Sequence, residues 1–153
     1  MCSKGLSLSR THVILPRTKK LITVSRTPSI ADWIEADVST KAGITKVSNA
    51  VGNSPLDALL YMGGMWESEA FTSKYSFENC SDRDLENVIT VNLLAPIRLV
   101  KSLLPALKQA DNPKIIFMGA LFMGALSGLD NFPAREVANS ASKFGLRGAV
   151  HSL

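Results

Sequence analysis

The chain has 153 residues, 46% of them apolar and 20% charged, which is the profile of one folded domain with a sizeable core and excludes a disordered or fibrous chain. Lys and Arg outnumber Asp and Glu by 17 to 13, and the excess is thinly spread. The one tight basic group, Arg17, Lys19 and Lys20, has no interleaved aromatics, so no nucleic-acid surface is expected. Cys2 and Cys80 are too few for a disulfide framework and lack Cys/His ligand spacing, which fits a reducing compartment and implies no metal site. The opening M-C-S-K-G-L-S-L-S-R lacks the pattern of a secretory leader, so a cytoplasmic location is expected. The longest apolar stretch, Ile115 to Leu126, is about half the ~20 residues of a bilayer span and predicts a buried core segment, not a membrane anchor.

In chain order, Lys20 to Arg26 is a short β-rich run closed by Thr27-Pro28, and a second apolar patch follows from Trp33 to Val38. Between Ser39 and Asn53 the residues Ile44, Val47 and Val51 recur at helical spacing, and Gly52-Asn53-Ser54-Pro55 ends that helix. Leu56 to Met62 predicts a buried strand running into Gly63-Gly64. Met65 to Cys80 has no clear period and predicts a loop with one helical turn. The strongest helical signal runs from Ser81 to Ala110. Ser81 and Asp84 form an N-cap pattern, and Leu85, Val88, Ile89, Asn92, Leu93, Pro96, Leu99, Val100, Leu103 and Leu104 trace one face. Pro96 and Pro105 are expected to bend or break it. Lys114 to Met118 predicts a buried strand, Ser127 to Arg135 a loop, and about Glu136 to the terminus a last amphipathic helix. F-M-G-A-L at Phe117 to Leu121 recurs at Phe122 to Leu126, too short a repeat for a solenoid and readable as a small duplication. Strand and helix alternate throughout, which argues for a parallel sheet flanked by helices on both faces.

Several of these pieces fall into one order, and the chain resembles the short-chain dehydrogenase/reductases, NAD(P)-dependent oxidoreductases of Rossmann type. Ser3-Lys4-Gly5-Leu6-Ser7 is similar to the tail of the family's T-G-x-x-x-G-I-G turn, where glycine lets the backbone approach the cofactor pyrophosphate. Only Gly5 remains of those glycines. Arg26, just after the strand ending V-S-R, stands where a basic residue holds the 2′-phosphate of NADP, so the resemblance implies NADP(H) before NAD; a solvated arginine at a strand end would look the same. Asp37-Val38 resembles the D-V pair whose aspartate contacts adenine, and an aspartate capping the next helix would also fit. Tyr61-Met62-Gly63-Gly64 takes the place of N-N-A-G, with only Gly64 kept for close approach to the nicotinamide ribose. Val91-Asn92-Leu93 with Pro96 is the least altered match and implies that Asn92 is the asparagine of the catalytic tetrad.

The family's Y-x-x-x-K puts tyrosine and lysine on one helical face, where the lysine lowers the tyrosine pKa and the tyrosine exchanges the proton. Here that turn reads N-S-A-S-K. Lys143 is kept, as catalytic and cofactor-binding residue, and Asn139 fills the tyrosine position with an amide that has no proton to exchange near pH 7. The serine position falls on Ala125, or on Ala120 if the first repeat copy is native, with Ser127 two residues out of register. His12 and His151 have no matched partner and receive no role. Tyr61 lies at the cofactor edge of the sheet in this alignment, but a substrate role for it is not favoured.

The expectation is thus a single partial dinucleotide-binding domain over residues 1–153. Its fold class is α/β, a Rossmann-like doubly wound parallel sheet lacking the family's first strand and C-terminal strands. Its substrate would be a small carbonyl or alcohol, and the Asn92 and Lys143 helices would form a homodimer surface. Three functions stay open: an impaired NADP-linked reductase, a catalytically dead nucleotide-binding or subunit-interaction homologue, and a non-functional fragment.

Overall fold

The computed structural model describes residues 20–29, 32–119 and 137–153. The expectations for Gly5, His12, Ala120, Ala125, Ser127 and most of the F-M-G-A-L repeat fall outside them. The elements are β1 (Ile22–Ser25), β2 (Asp32–Glu35), α1 (Lys41–Val51), β3 (Ala58–Tyr61), a 3₁₀ turn (Phe77–Asn79), α2 (Asp82–Ile89), a π-helical segment (Thr90–Leu94), α3 (Ala95–Leu107), β4 (Lys114–Phe117) and α4 (Val137–Ser152). The chain divides into two compact units, residues 1–58 with 99–114 and residues 59–98 with 115–153.

In the first unit β1 and β2 pair in parallel, with Ile22 opposite Asp32 and Ser25 opposite Glu35. The chain then turns into α1 through Asp37, whose Oδ1 accepts from both the N–H and the hydroxyl of Ser39 at 2.9 and 2.6 Å. Thr40 is the N-cap, its hydroxyl accepting from the Gly43 N–H at 3.0 Å. Ile44 and Val47 face inward from α1, and Leu99, Val100, Leu103, Ala106 and Leu107 from α3 complete the apolar interior of this unit. The Ser48 hydroxyl donates to the Ser102 carbonyl. Gly52 ends α1 with φ +61°, a conformation that costs glycine least.

In the second unit β3 and β4 are neighbours, and Met118 N–H donates to the Tyr61 carbonyl at 3.1 Å. Lys114 N–H bonds Asp57 four residues earlier on each strand, so this pair also runs parallel. Ser81 caps α2 as expected, accepting from the Asp84 N–H at 3.2 Å.

The prolines do not break the long helix. From Asp82 to Leu107 it is continuous, and the accommodation is the π segment just ahead of Pro96, where the Ala95 N–H reaches back five residues to the Thr90 carbonyl. Continuing that pattern would ask Pro96 for an N–H to the Val91 carbonyl, and proline has none. The Tyr61 hydroxyl supplies it, donating to Val91 O at 2.6 Å. Tyr61 is therefore a buried structural residue. Replacing it by phenylalanine leaves that carbonyl without this donor and is expected to cost about 1–3 kcal/mol, read by urea unfolding; an unchanged midpoint would refute the assignment.

By length and composition this helix could also cross a membrane. Its buried residues Val88, Asn92, Ala95, Leu99, Val100 and Leu103 lie within the fold, however, and Arg83, Glu86, Arg98 and Lys101 are exposed, as in an amphipathic core helix.

Candidate active site

The second unit gathers Gly64, Asn92, Asn139 and Lys143. The π segment carries Asn92 into the interior, where it is fully buried. Its amide is used on both sides: Oδ1 accepts from the Met65 N–H at 2.8 Å, and Nδ2 donates to the Met65 carbonyl at 2.9 Å and to Asn139 Oδ1 at 3.1 Å. Both Nδ2 hydrogens are thereby taken, while Oδ1 keeps capacity for one more donor. The cost of burying an amide on an apolar helical stripe is offset by these bonds.

Asn139 is 1% exposed and fixed toward Asn92. Its Nδ2 is buried without a hydrogen-bond acceptor, and so is Glu67 Oε2 without a donor. One turn further along α4, Lys143 is half-buried and its Nζ donates to the Met118 carbonyl at 3.0 Å. Burial holds this ammonium below the ordinary lysine value, because desolvation penalises its charged form. Gly64 is exposed, and a Cβ built on it would lie 3.5 Å from Lys143 Nζ and 3.7 Å from Asn92 Oδ1. The bare backbone at this position thus opens onto both polar groups. Gly145 brings α4 close to the π segment: a Cβ there would meet Leu93 Cδ2 at 2.9 Å.

The remaining expected cofactor residues belong to the first unit. Arg26 is exposed at the end of β1. Asp37 does what a helix-entry aspartate does: the Ser39 hydroxyl and then the Ser39 N–H hold its carboxyl below the ordinary value, with Arg26 adding a smaller push in the same direction. Only Oδ1 takes part in those bonds. Val38 lies in the same turn.

Sequence reasoning missed Glu67. It is buried, and its Oε1 accepts from the Ala138 N–H at 2.6 Å and the Asn139 N–H at 3.3 Å. A signal for it exists in the first turn of α4, which contains no acidic residue of its own. Helix amino-terminal N–H groups need acceptors, and one not supplied locally comes from elsewhere.

The family model for short chain dehydrogenases matches residues 7–153. The chain is 33% identical over 100 residues to the short chain dehydrogenase adrF of Penicillium roqueforti, an alignment covering 64% of this chain and 34% of that protein. Among solved structures, a carbonyl reductase from Pseudomonas aeruginosa PAO1 superposes with a TM-score of 0.78 at 18% identity, over 98% of this chain and 70% of that one. A metagenomic short-chain oxidoreductase in complex with NADP superposes with a TM-score of 0.69 at 22% identity, over 87% and 62%. These likenesses establish a Rossmann-like α/β fold, of which the described strands supply two separate parallel pairs.

Proposed function

Because the chain belongs to the short-chain dehydrogenase family, whose members are nicotinamide-linked oxidoreductases, we propose that it exchanges hydride between NADP(H) and a small carbonyl or alcohol at reduced proton-transfer power. The observation that carries this reading is the meeting of Gly64, Asn92 and Lys143 around one open point. These residues fit a nucleotide sugar: an uncrowded backbone beside an ammonium donor suits ribose hydroxyls. Gly64 and Lys143 would hold that end; for the first unit, taken by itself, the resemblance implies Arg26 for a 2′-phosphate and Asp37 with Val38 for adenine. When bound, the nicotinamide gives or takes the hydride. What the chain itself supplies is a proton at Lys143 Nζ, the one titratable group among Gly64, Asn92, Asn139 and Lys143.

Lys143 as acid has a definite pH signature. The ammonium must be protonated to donate, so carbonyl reduction is expected to be fastest at low pH and to fall as pH rises through the lowered Lys143 value, with Lys143→Met removing the profile. A pH-independent rate would sink this role.

The first test is thermal unfolding with and without NADPH. A ligand that binds only the folded chain at about 100 times its Kd adds about 2.7 kcal/mol, or about 5–10 °C for a domain of this size. A broad melt with no shift would overturn the nucleotide reading. A shift without turnover would favour a second reading, a nucleotide-binding or subunit-interaction homologue, which the commitment of the Asn139 amide to Asn92 supports. The exposed apolar residues Val137, Phe144 and Val150 on α4 and Leu94 and Ile97 around Asn92 support pairing of two copies through these helices. Cysteine usage supports the cytoplasm as location.

A further inference from the structure

Glu67 lies in the loop after β3, which is fastened to the second unit at three consecutive places. The backbone of Met65 bonds the Asn92 amide on both its sides. The Glu67 carboxylate bonds the first turn of α4. Ser68 donates through its N–H at 2.6 Å and its hydroxyl at 3.1 Å to the Asp84 carboxylate of α2. Glu67 is the middle fastening, 3% exposed and 71 residues away from Ala138 in the chain. Its charge sits at the positive end of the α4 dipole, and its bonds are charge-assisted, the stronger class. Asn139 projects from the turn that this carboxylate holds, and Lys143 from the turn that follows it.

Resting on the reading of Lys143 as the proton-holding group, we infer that Glu67 is a positioning residue for the site: its carboxylate fixes the first turn of α4 and thereby holds Asn139 against Asn92 and keeps Lys143 Nζ in its partly desolvated place. Glu67 touches neither substrate nor proton. It acts through the backbone of Ala138 and Asn139.

The test uses the full chain without nucleotide and reads two quantities by NMR: hydrogen exchange of the Ala138 and Asn139 amides, and the titration midpoint of Lys143. Glu67→Ala is expected to speed exchange at those two amides by at least about 10-fold while Gly145 and Leu146 further along α4 are unmoved, and to raise the Lys143 midpoint toward the ordinary lysine value. Glu67→Gln keeps the shape and one acceptor oxygen, and should restore most of both. A uniform rise in exchange along α4, or a Lys143 midpoint that does not move, would overturn the inference and leave Glu67 a residue of general stability. If Glu67→Ala does not fold, Glu67→Asp decides alone: one methylene shorter, its carboxylate falls short of the two N–H groups, so exchange at Ala138 and Asn139 must still rise several-fold and the Lys143 midpoint must shift, and wild-type behaviour on both counts refutes the inference. Neither readout uses NADPH, so failure of the cofactor reading and failure of this one are told apart.

Discussion

Replacing Asn139 by tyrosine is expected to raise the rate of NADPH-dependent aldehyde reduction by about 10²–10⁴-fold over the parent chain, the usual worth of a positioned general acid. The amide at 139 accepts from Asn92 and can exchange no proton, whereas a phenol one helical turn from Lys143 meets an ammonium able to favour its ionised form. The substitution also has a structural cost. Position 139 is 1% exposed, and the change removes the acceptor of one Asn92 Nδ2 hydrogen, so a loss of about 1–3 kcal/mol in unfolding free energy is expected alongside the gain. NADPH consumption measured with Asn139→Tyr, and with Asn139→Tyr plus Lys143→Met, checks both parts. A folded, NADPH-binding Asn139→Tyr chain that is no faster than the parent would show that the second unit does not present residue 139 to a substrate.

The largest effect on stability is expected at Gly43. A Cβ placed there would lie 1.9 Å from the Asp37 carbonyl oxygen and 2.5 Å from its carbon, both backbone atoms of the turn that enters α1. No side-chain rotation relieves such a contact. Gly43→Ala must therefore open the turn and lose the Thr40 cap, a cost of about 3 kcal/mol or more. Gly148→Ala is the control. Among the described residues, nothing outside its chain neighbours and the adjoining helix backbone lies within 4 Å of its added Cβ, and alanine inside α4 should stabilise by about 0.5–1 kcal/mol. Urea unfolding followed through Trp33, in a chain carrying Trp66→Phe, reads Gly43→Ala in the first unit, and followed through Trp66, in a chain carrying Trp33→Phe, it reads Gly148→Ala in the second. A Trp33 midpoint left unchanged by Gly43→Ala would show that the turn at Asp37 yields easily.

How much of this was legible in the sequence depends on where the determining partner lies. Helix-forming residues carry their own period, so Lys41–Val51 and Asp82–Leu107 could be read from spacing, as could the Ser81 cap, whose partner is three residues away. The meeting of Asn92 with Lys143 followed from the family motifs and not from any local pattern. The π segment was not legible, because one added residue barely disturbs a helical period, and Pro96 therefore read as a bend or a break. Asp37 fitted two roles in sequence. The structure shows its Oδ1 turned to Ser39, and the cofactor role rests on the resemblance. Glu67 had no period and no motif around it, and its partners are backbone N–H groups that any residue would provide.

Tyr61 and Gly63 are coupled. A Cβ on Gly63 would approach the Tyr61 hydroxyl oxygen and ring carbon Cζ to 2.9 Å, so the ring occupies the space that the alanine of the N-N-A-G pattern would need. Alanine at 63 would have to push that ring aside, and with it the hydroxyl that serves the Val91 carbonyl. Substitutions at the two positions are therefore not independent, and the two departures from the motif are one packing arrangement.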